Sequence, residues 1–384
     1  MTRVDHVEVT GLAGRKDKVT LNFHPSLNVI FGQNGRGKTS LLRIIDSALT
    51  NDANLLRGVA VKNATVRFYS SGHEVDVTRT LTTTRAANQM TISGNQVLIN
   101  ASGEVQVLDP ASVERVPARG WTTSPHVSTD RFLHSFLSTS RLMPQIQSSA
   151  YLSYSAVQTD PDTLFARDLQ RLWQSYTNTV LSQVRRFQDD RISDILGNIF
   201  FTSSRQANVD VTVEEAYRNV IAFLQRQGSK VRPTARNEER FKRRFVDDVN
   251  LRRVVLDIRN LEQGLKEVEE PRRRLEDLVN QFVGDGKHIE FRDQGIFATS
   301  GEEGLELDSF SSGEKHLLRI LVETIRVGQG ATILVDEPEI SMHIDWQQRL
   351  LGTMQLINPH CQIIVATHSP EIMAFVPDEQ IIEL

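Results

Sequence analysis

Leu27-Asn28-Val29-Ile30-Phe31-Gly32-Gln33-Asn34-Gly35-Arg36-Gly37-Lys38-Thr39-Ser40-Leu41-Leu42 is the stretch on which the fold turns. Its first five residues are a short apolar run of buried-strand length. Gly32 to Thr39 then read G-x-x-x-x-G-K-T, and Leu41, Leu42, Ile44, Ile45 and Leu49 repeat at helical spacing. A strand that runs into a glycine-rich loop and then a helix is a phosphate-holding arrangement, the Walker A pattern. The glycines let backbone N–H groups turn inward toward anionic oxygens, and the helix aims the positive end of its dipole at the same point. Asn34, Gly35, Arg36 and Gly37 form the cradle, with Ser40 at its end. Lys38 is placed to reach the β- and γ-phosphates, and Thr39 to offer its hydroxyl to Mg²⁺.

A second run, Thr332-Ile333-Leu334-Val335-Asp336-Glu337, ends in two carboxylates. Strands buried on both faces read as continuous apolar runs, and ligands collect at their carboxyl ends. Asp336 is therefore expected beside the glycine loop on the Mg²⁺ side, and Glu337 over the attacking water. About 20 residues upstream, Ser311-Ser312-Gly313-Glu314-Lys315 precedes a helical pattern. On its own this is an ordinary capped helix start, with serines, a glycine and free N–H groups able to meet an anion. His368 closes another apolar strand, Val365-Ala366-Thr367-His368-Ser369-Pro370, where an imidazole can sense a γ-phosphate. ATP and Mg²⁺ are the expected ligands.

The rest of the composition sets limits. With 384 residues, 39% hydrophobic and 24% charged, the chain matches ordinary globular proteins and is long enough for one large domain with insertions, or for two. No apolar run approaches the roughly 20 residues of a membrane span, and the alternating start at Met1 to Thr10 lacks the pattern of a signal peptide. Cys361 is the only cysteine, so an intrachain disulfide is impossible and a reducing cytoplasmic location is expected, with no membrane partner. Net charge is −4 overall, yet Arg226 to Leu275 holds 15 Lys/Arg against 9 Asp/Glu. That local excess leaves two readings open, a solvated helical hairpin or a nucleic-acid surface.

Along the chain, Val4–Val9 and Val19–Phe23 alternate at period two and read as a hairpin. Residues 59–108 read as an antiparallel meander, and 112–156, rich in Ser, Thr and Pro, as long loops with short helices. From Leu164 to Phe282 the pattern is helical. Leu251, Val254, Ile258, Leu261, Leu265, Val268, Leu275, Val279 and Phe282 fit heptads, with a kink or split expected at Pro271. Two or three short strands follow, and α/β alternation resumes at Ser309. The expected architecture is α/β: a P-loop NTPase with an antiparallel β-subdomain and an inserted helical, short coiled-coil-like subdomain. The expected divisions are 1–110, an N-terminal ATPase lobe; 111–283, a loop-rich and helical insertion; and 284–384, a C-terminal ATPase lobe.

Taken in order, these motifs resemble the ABC-type ATPase heads. That group includes RecF, the SMC proteins, the overcoming-lysogenisation-defect nucleases and the ATPases of Septu- and retron-type anti-phage systems. The likeness lies in Phe310-Ser311-Ser312-Gly313-Glu314-Lys315-His316, in Asp336-Glu337-Pro338-Glu339-Ile340-Ser341-Met342-His343 with Trp346-Gln347, and in Ala366-Thr367-His368-Ser369-Pro370. It covers the first 50 and the last 75 or so residues well and the middle poorly. The resemblance implies that Ser312, Gly313 and Glu314 are a signature meeting a partner subunit's ATP, that Ser341 and His343 lie in a D-loop at the dimer seam, and that His368 is the switch. It also implies ATP hydrolysis by a homodimer or higher homo-oligomer. Three features depart from the family. Phe136 to Leu142 is similar to the Q-loop segment, but Ser140 stands where a metal-coupling Gln is expected. The insertion is too short for an SMC arm. The sequence runs only about 16 residues past His368, where overcoming-lysogenisation-defect proteins continue into a nuclease domain. The resemblance therefore implies a defence ATPase that senses infection and controls a separate nuclease or toxin. The alternative it leaves is a RecF-like repair ATPase whose basic helices bind duplex DNA.

Overall fold

The computed structural model describes residues 2–70, 74–84, 89–92, 95–99, 105–107, 118–127, 132–138, 161–201, 212–226, 233–284 and 286–384. At its centre is a five-stranded parallel sheet, in the order His134–Leu137, Thr332–Asp336, Gln362–Thr367, Leu27–Phe31 and Ile381–Glu383. Successive side chains on a strand point to opposite faces, and the two apolar cores divide accordingly. Ile30, Leu334, Ile364 and Ala366 face the helix Lys38–Thr50 and the five-stranded antiparallel sheet behind it. Val29, Ile333, Val335, Ile363 and Val365 face the helices Ser312–Arg326 and Ile344–Ile357. This alternation inside continuous apolar runs is why both faces can be covered.

The antiparallel sheet runs Lys18–Asn22, Thr2–Thr10, Asn63–Ser70, Val75–Thr84, Ala118–Ser124. Its first pair is the expected hairpin. Gln89–Ile92, Asn95–Ile99 and Val105–Val107 form a separate three-stranded antiparallel sheet. The reading of 112–156 as loops and short helices needs correction. Ala118–Ser124 is a strand paired with Val75–Thr84, and His134–Leu137 is an edge strand of the parallel sheet. The second has only four residues. It is pinned by side chains: His134 Nε2 lies 2.9 Å from Asp46 and 3.2 Å from the Thr50 hydroxyl on the helix behind the glycine loop.

The insertion is helical: Pro161–Phe201, Val213–Arg226, Ala235–Asp247 and Val249–Val283. The first and last run antiparallel. Phe165, Leu169, Trp173, Leu275, Val279 and Phe282 join the core at the base, and Phe187 packs over Gly264 farther out, where a β-carbon would sit 2.2 Å from its ring. Of the kink or split expected at Pro271 the split does not occur, and Val249–Val283 is one helix with the proline inside it. A proline removes one backbone hydrogen bond. The helix is held on either side of it, by buried Ile258 and Leu261 about three turns before and by buried Leu275 and Val279 one to two turns after. The expected short strands follow as Lys287–Arg292, Gly295–Ser300 and Glu303–Leu305. Among the described residues no helix is long and apolar enough to cross a membrane.

Candidate functional site

The site is assembled where parallel strands end. Register places Phe31 beside Thr367, and Ala366 beside Asp336, so the glycine loop, the Asp336–Glu337 pair and His368 all emerge at one edge. Gly37 ends the loop with φ 99°, left-handed backbone that favours glycine, and a β-carbon there would come within 3.0 Å of Leu12 and 3.1 Å of Ala13. Asn34, Gly35 and Arg36 are exposed, whereas Thr39 and Ser40 at the helix start are half-buried. Lys38 is only 5% exposed. Its ammonium donates to the carbonyls of Gly32 at 2.6 Å and Gln33 at 3.3 Å, which holds a full positive charge inside the loop.

Thr39 and Asp336, 297 residues apart, meet directly, the threonine hydroxyl donating to Asp336 Oδ1 at 3.0 Å. Burial pushes the Asp336 carboxyl up to about 6, the adjacent Glu337 charge adds to this, and the Thr39 bond opposes it. A buried carboxylate beside a hydroxyl is a hard-oxygen pair of the kind Mg²⁺ uses when phosphates and water supply its other ligands. The two residues therefore fit that ion. Among the described residues no cluster of three or more His, Cys, Asp or Glu could hold a metal. Glu337 follows with φ 50° and donates its backbone N–H to Ala366 O at 2.8 Å. That turn brings its carboxylate to 3.9 Å from His368 Nδ1. Ser140, expected to couple to the metal, lies outside the described residues.

The Ser312–Arg326 helix is capped at its start by a reciprocal pair, the Ser311 hydroxyl accepting from Glu314 N and the Glu314 carboxylate accepting from Ser311 N. Burial works against the charged form of Glu314. Lys287 at 2.7 Å and the Ser311 donors outweigh it and hold that carboxyl below its usual range. Ser312 is exposed, while Gly313 and Glu314 are buried. Gly313 has a steric reason: a β-carbon there would sit 2.4 Å from the carbonyl of Ser341, so the Ser341 segment lies on the helix start. His316 Nδ1 reaches Ile340 O at 2.8 Å in the same contact, and burial lowers its pKa against that bond. Ser341 and His343 are exposed. Among the described residues no hydrogen bond or ion pair joins Ser312, Gly313 or Glu314 to Asn34–Ser40 of the same chain.

Glu339 was given no role from the sequence. It is 6% exposed and accepts from Thr367 Oγ1, His368 N and Ser369 N. The available signal is a third acidic residue in the run, two places beyond Glu337.

Several known proteins are similar to this chain. The "Retron Vc95 probable ATPase" of Vibrio cholerae serotype O1 biovar El Tor is 26% identical over 122 residues, covering 28% of this chain and 24% of the relative. The match thus spans about a quarter of that protein's length. Among solved structures, an Smc head domain from Pyrococcus furiosus, with an extended coiled coil and bound to the C-terminal domain of ScpA, aligns over 97% of this chain and 92% of its own. Its TM-score is 0.45 at 14% identity. The SMC head domain of Thermotoga maritima gives 0.39 at 11%, covering 97% and 91%. At these scores the likenesses add nothing to a fold that rests on sheet order and loop geometry. A family model described as "AAA domain, putative AbiEii toxin, Type IV TA system" matches residues 162–374, more than half of the chain. The chain belongs to that AAA-domain family, as a P-loop ATPase.

Proposed function

We propose that the chain binds and hydrolyses ATP with Mg²⁺ in the cytoplasm, that two copies close around two ATP molecules, and that the closed state controls a separate effector in anti-phage defence. The observation that carries the first part is the Thr39–Asp336 bond at 3.0 Å, which joins the phosphate loop to the acidic strand end. In this reading the Asn34–Ser40 backbone and Lys38 hold the β- and γ-phosphates, and Thr39 and Asp336 hold the ion's side of the site. Bound Mg²⁺ would neutralise phosphate charge. Glu337 takes the proton of the attacking water, and His368 meets the γ-phosphate.

The second part is supported by the exposure of Ser312, Ser341 and His343, with no hydrogen bond or ion pair among the described residues joining Ser312–Glu314 to the chain's own phosphate loop. An exposed signature that is not bonded to its own loop is available to a partner's ATP, in a two-fold arrangement with two shared sites. Lys38→Ala protein mixed with Ser312→Arg protein tests this, because a mixed dimer keeps one intact site. Turnover regained in the mixture supports sharing. A Ser312→Arg protein that hydrolyses ATP normally as a strict monomer overturns it.

The third part is supported by the retron ATPase likeness and the family description. Its test is phage plating on cells that carry the chain with its neighbouring genes, in wild-type and Lys38→Ala forms. Protection lost with Lys38→Ala is expected, and equal plating overturns the defence role. The duplex-DNA reading draws less support. On the basic helices Lys242, Arg243, Arg244, Arg273 and Arg274 each pair with a carboxylate within the same region, which offsets part of the charge excess, and Arg272 pairs with Asp293 beyond it.

A further inference from the structure

The run Asp336-Glu337-Pro338-Glu339 holds three acids, and the reading above uses two. The third is the most buried after Asp336, and its two oxygens are used unequally. Oε1 accepts from the Thr367 hydroxyl at 2.6 Å, from His368 N at 2.9 Å and from Ser369 N at 3.2 Å, and it lies 3.1 Å from His368 Nδ1. Oε2 is buried with no partner among the described residues. Burying a carboxylate is costly, and an oxygen left without a donor adds to the cost. Capping two backbone N–H groups could be done by a neutral side chain such as Gln or Thr. A full charge at this place calls for a further reason.

The imidazole supplies one. The contact is one of charge at short range and not an aligned hydrogen bond, and a negative oxygen 3.1 Å from Nδ1 favours the ring form that carries its proton on Nδ1. The His368 side chain is 46% exposed, so packing alone does not fix the ring. The other acid near it, Glu337, is 3.9 Å away, beyond hydrogen-bonding distance. The same residue also reaches the D-loop. Glu339 O accepts from Met342 N at 3.0 Å, Gln347 Nε2 donates to Met342 O at 3.0 Å, and Gln347 Oε1 accepts from the Ser369 hydroxyl at 2.7 Å. The D-loop and the His368 loop therefore form one hydrogen-bonded body with Glu339 at its centre.

We propose that Glu339 is a positioning residue for His368: its buried carboxylate keeps the Nδ1 edge of the ring turned to the protein and leaves Nε2 as the ring atom that meets the nucleotide. This rests on the reading of His368 as the γ-phosphate contact. The test has two arms. In the first, ¹⁵N-histidine NMR is run on nucleotide-free protein, with the His368 signals assigned by their loss in His368→Ala. Wild type is expected to show the Nδ1–H tautomer, and Glu339→Gln, which keeps the shape and drops the charge, to move toward Nε2–H. Identical tautomer ratios overturn the proposal. In the second, turnover and ATP affinity are measured in Glu339→Gln, His368→Ala and the double variant. Turnover in Glu339→Gln is expected to fall about 10- to 100-fold, as for other residues that orient a functional histidine, with affinity by calorimetry unchanged. No further fall is expected when the change is added to His368→Ala. An equal fall in both backgrounds, or affinity falling in step with turnover, assigns Glu339 a merely structural role and overturns the proposal. A wild-type protein that does not hydrolyse ATP would defeat the proposed function instead, and the tautomer arm would still decide on Glu339.

Discussion

The carboxyl edge of the parallel sheet and the helical arm made by Pro161–Phe201 and Val249–Val283 differ in how their charged residues are used. At the sheet edge Lys38, Asp336 and Glu339 are each 6% exposed or less, and each is held by specific atoms of its surroundings. On the arm the Arg273 and Arg274 pairs lie outside. Arg273 and Glu269, or Arg274 and Glu270, pair one turn apart with side chains 40–63% exposed. A buried charge cannot be tolerated unless its partners are in place, whereas an exposed pair is shared with water. The edge is therefore where substitution should be felt, and the arm is where chemistry is cheap to change.

Three experiments sharpen or break that contrast. The largest effect is expected from Lys38→Ala, which removes the loop's internal cation. ATP binding measured by calorimetry should weaken by about 2–4 kcal/mol, the worth of one or two charge-assisted hydrogen bonds. Affinity equal to wild type would mean that the loop does not hold phosphates. Next comes Gly313→Val, which forces side-chain atoms against the Ser341 carbonyl, 2.4 Å from where a β-carbon would lie. Overpacking of this kind costs about 1–3 kcal/mol, so denaturant unfolding should show a loss in that range, and no loss would mean that the D-loop is free to move away. The smallest effect is expected from Arg273→Ala on the arm, about 0.5 kcal/mol or less by the same unfolding measurement. A loss as large as that of Gly313→Val would erase the distinction between the two regions.

The same contrast explains what could be read from the sequence. The phosphate loop, the Asp336–Glu337 strand end and the Ser311–Glu314 cap are legible because each is a consecutive run whose residue types are dictated locally, by glycine geometry, strand burial or helix capping. The arm's heptads were legible too, since Ile258, Leu261, Leu275 and Val279 repeat on one face. What hid were features set by distant partners. His134–Leu137 is too short to announce itself and stands as a strand because Asp46 and the Thr332–Asp336 strand receive it. Ala118–Ser124 carries Gly and Ser that suggest a loop, yet it pairs along Val75–Thr84. Pro271 argued for a kink or split, yet Val249–Val283 runs through it as one helix. Glu339 and His368 are 29 residues apart, and nothing in either segment shows that one faces the other.

The central claim is that the Lys38, Asp336 and Glu337 cluster is a hydrolytic ATP site, and Glu337→Gln tests it most directly. The variant keeps the side chain's shape and removes the group that accepts the proton. Single-turnover hydrolysis with Mg²⁺ and radiolabelled ATP, alongside calorimetry, should show binding within about twofold of wild type and a rate lower by about 10²–10⁴-fold, the usual contribution of a positioned general base. Hydrolysis at the wild-type rate by Glu337→Gln would contradict the assignment and, with it, the account of how this site works.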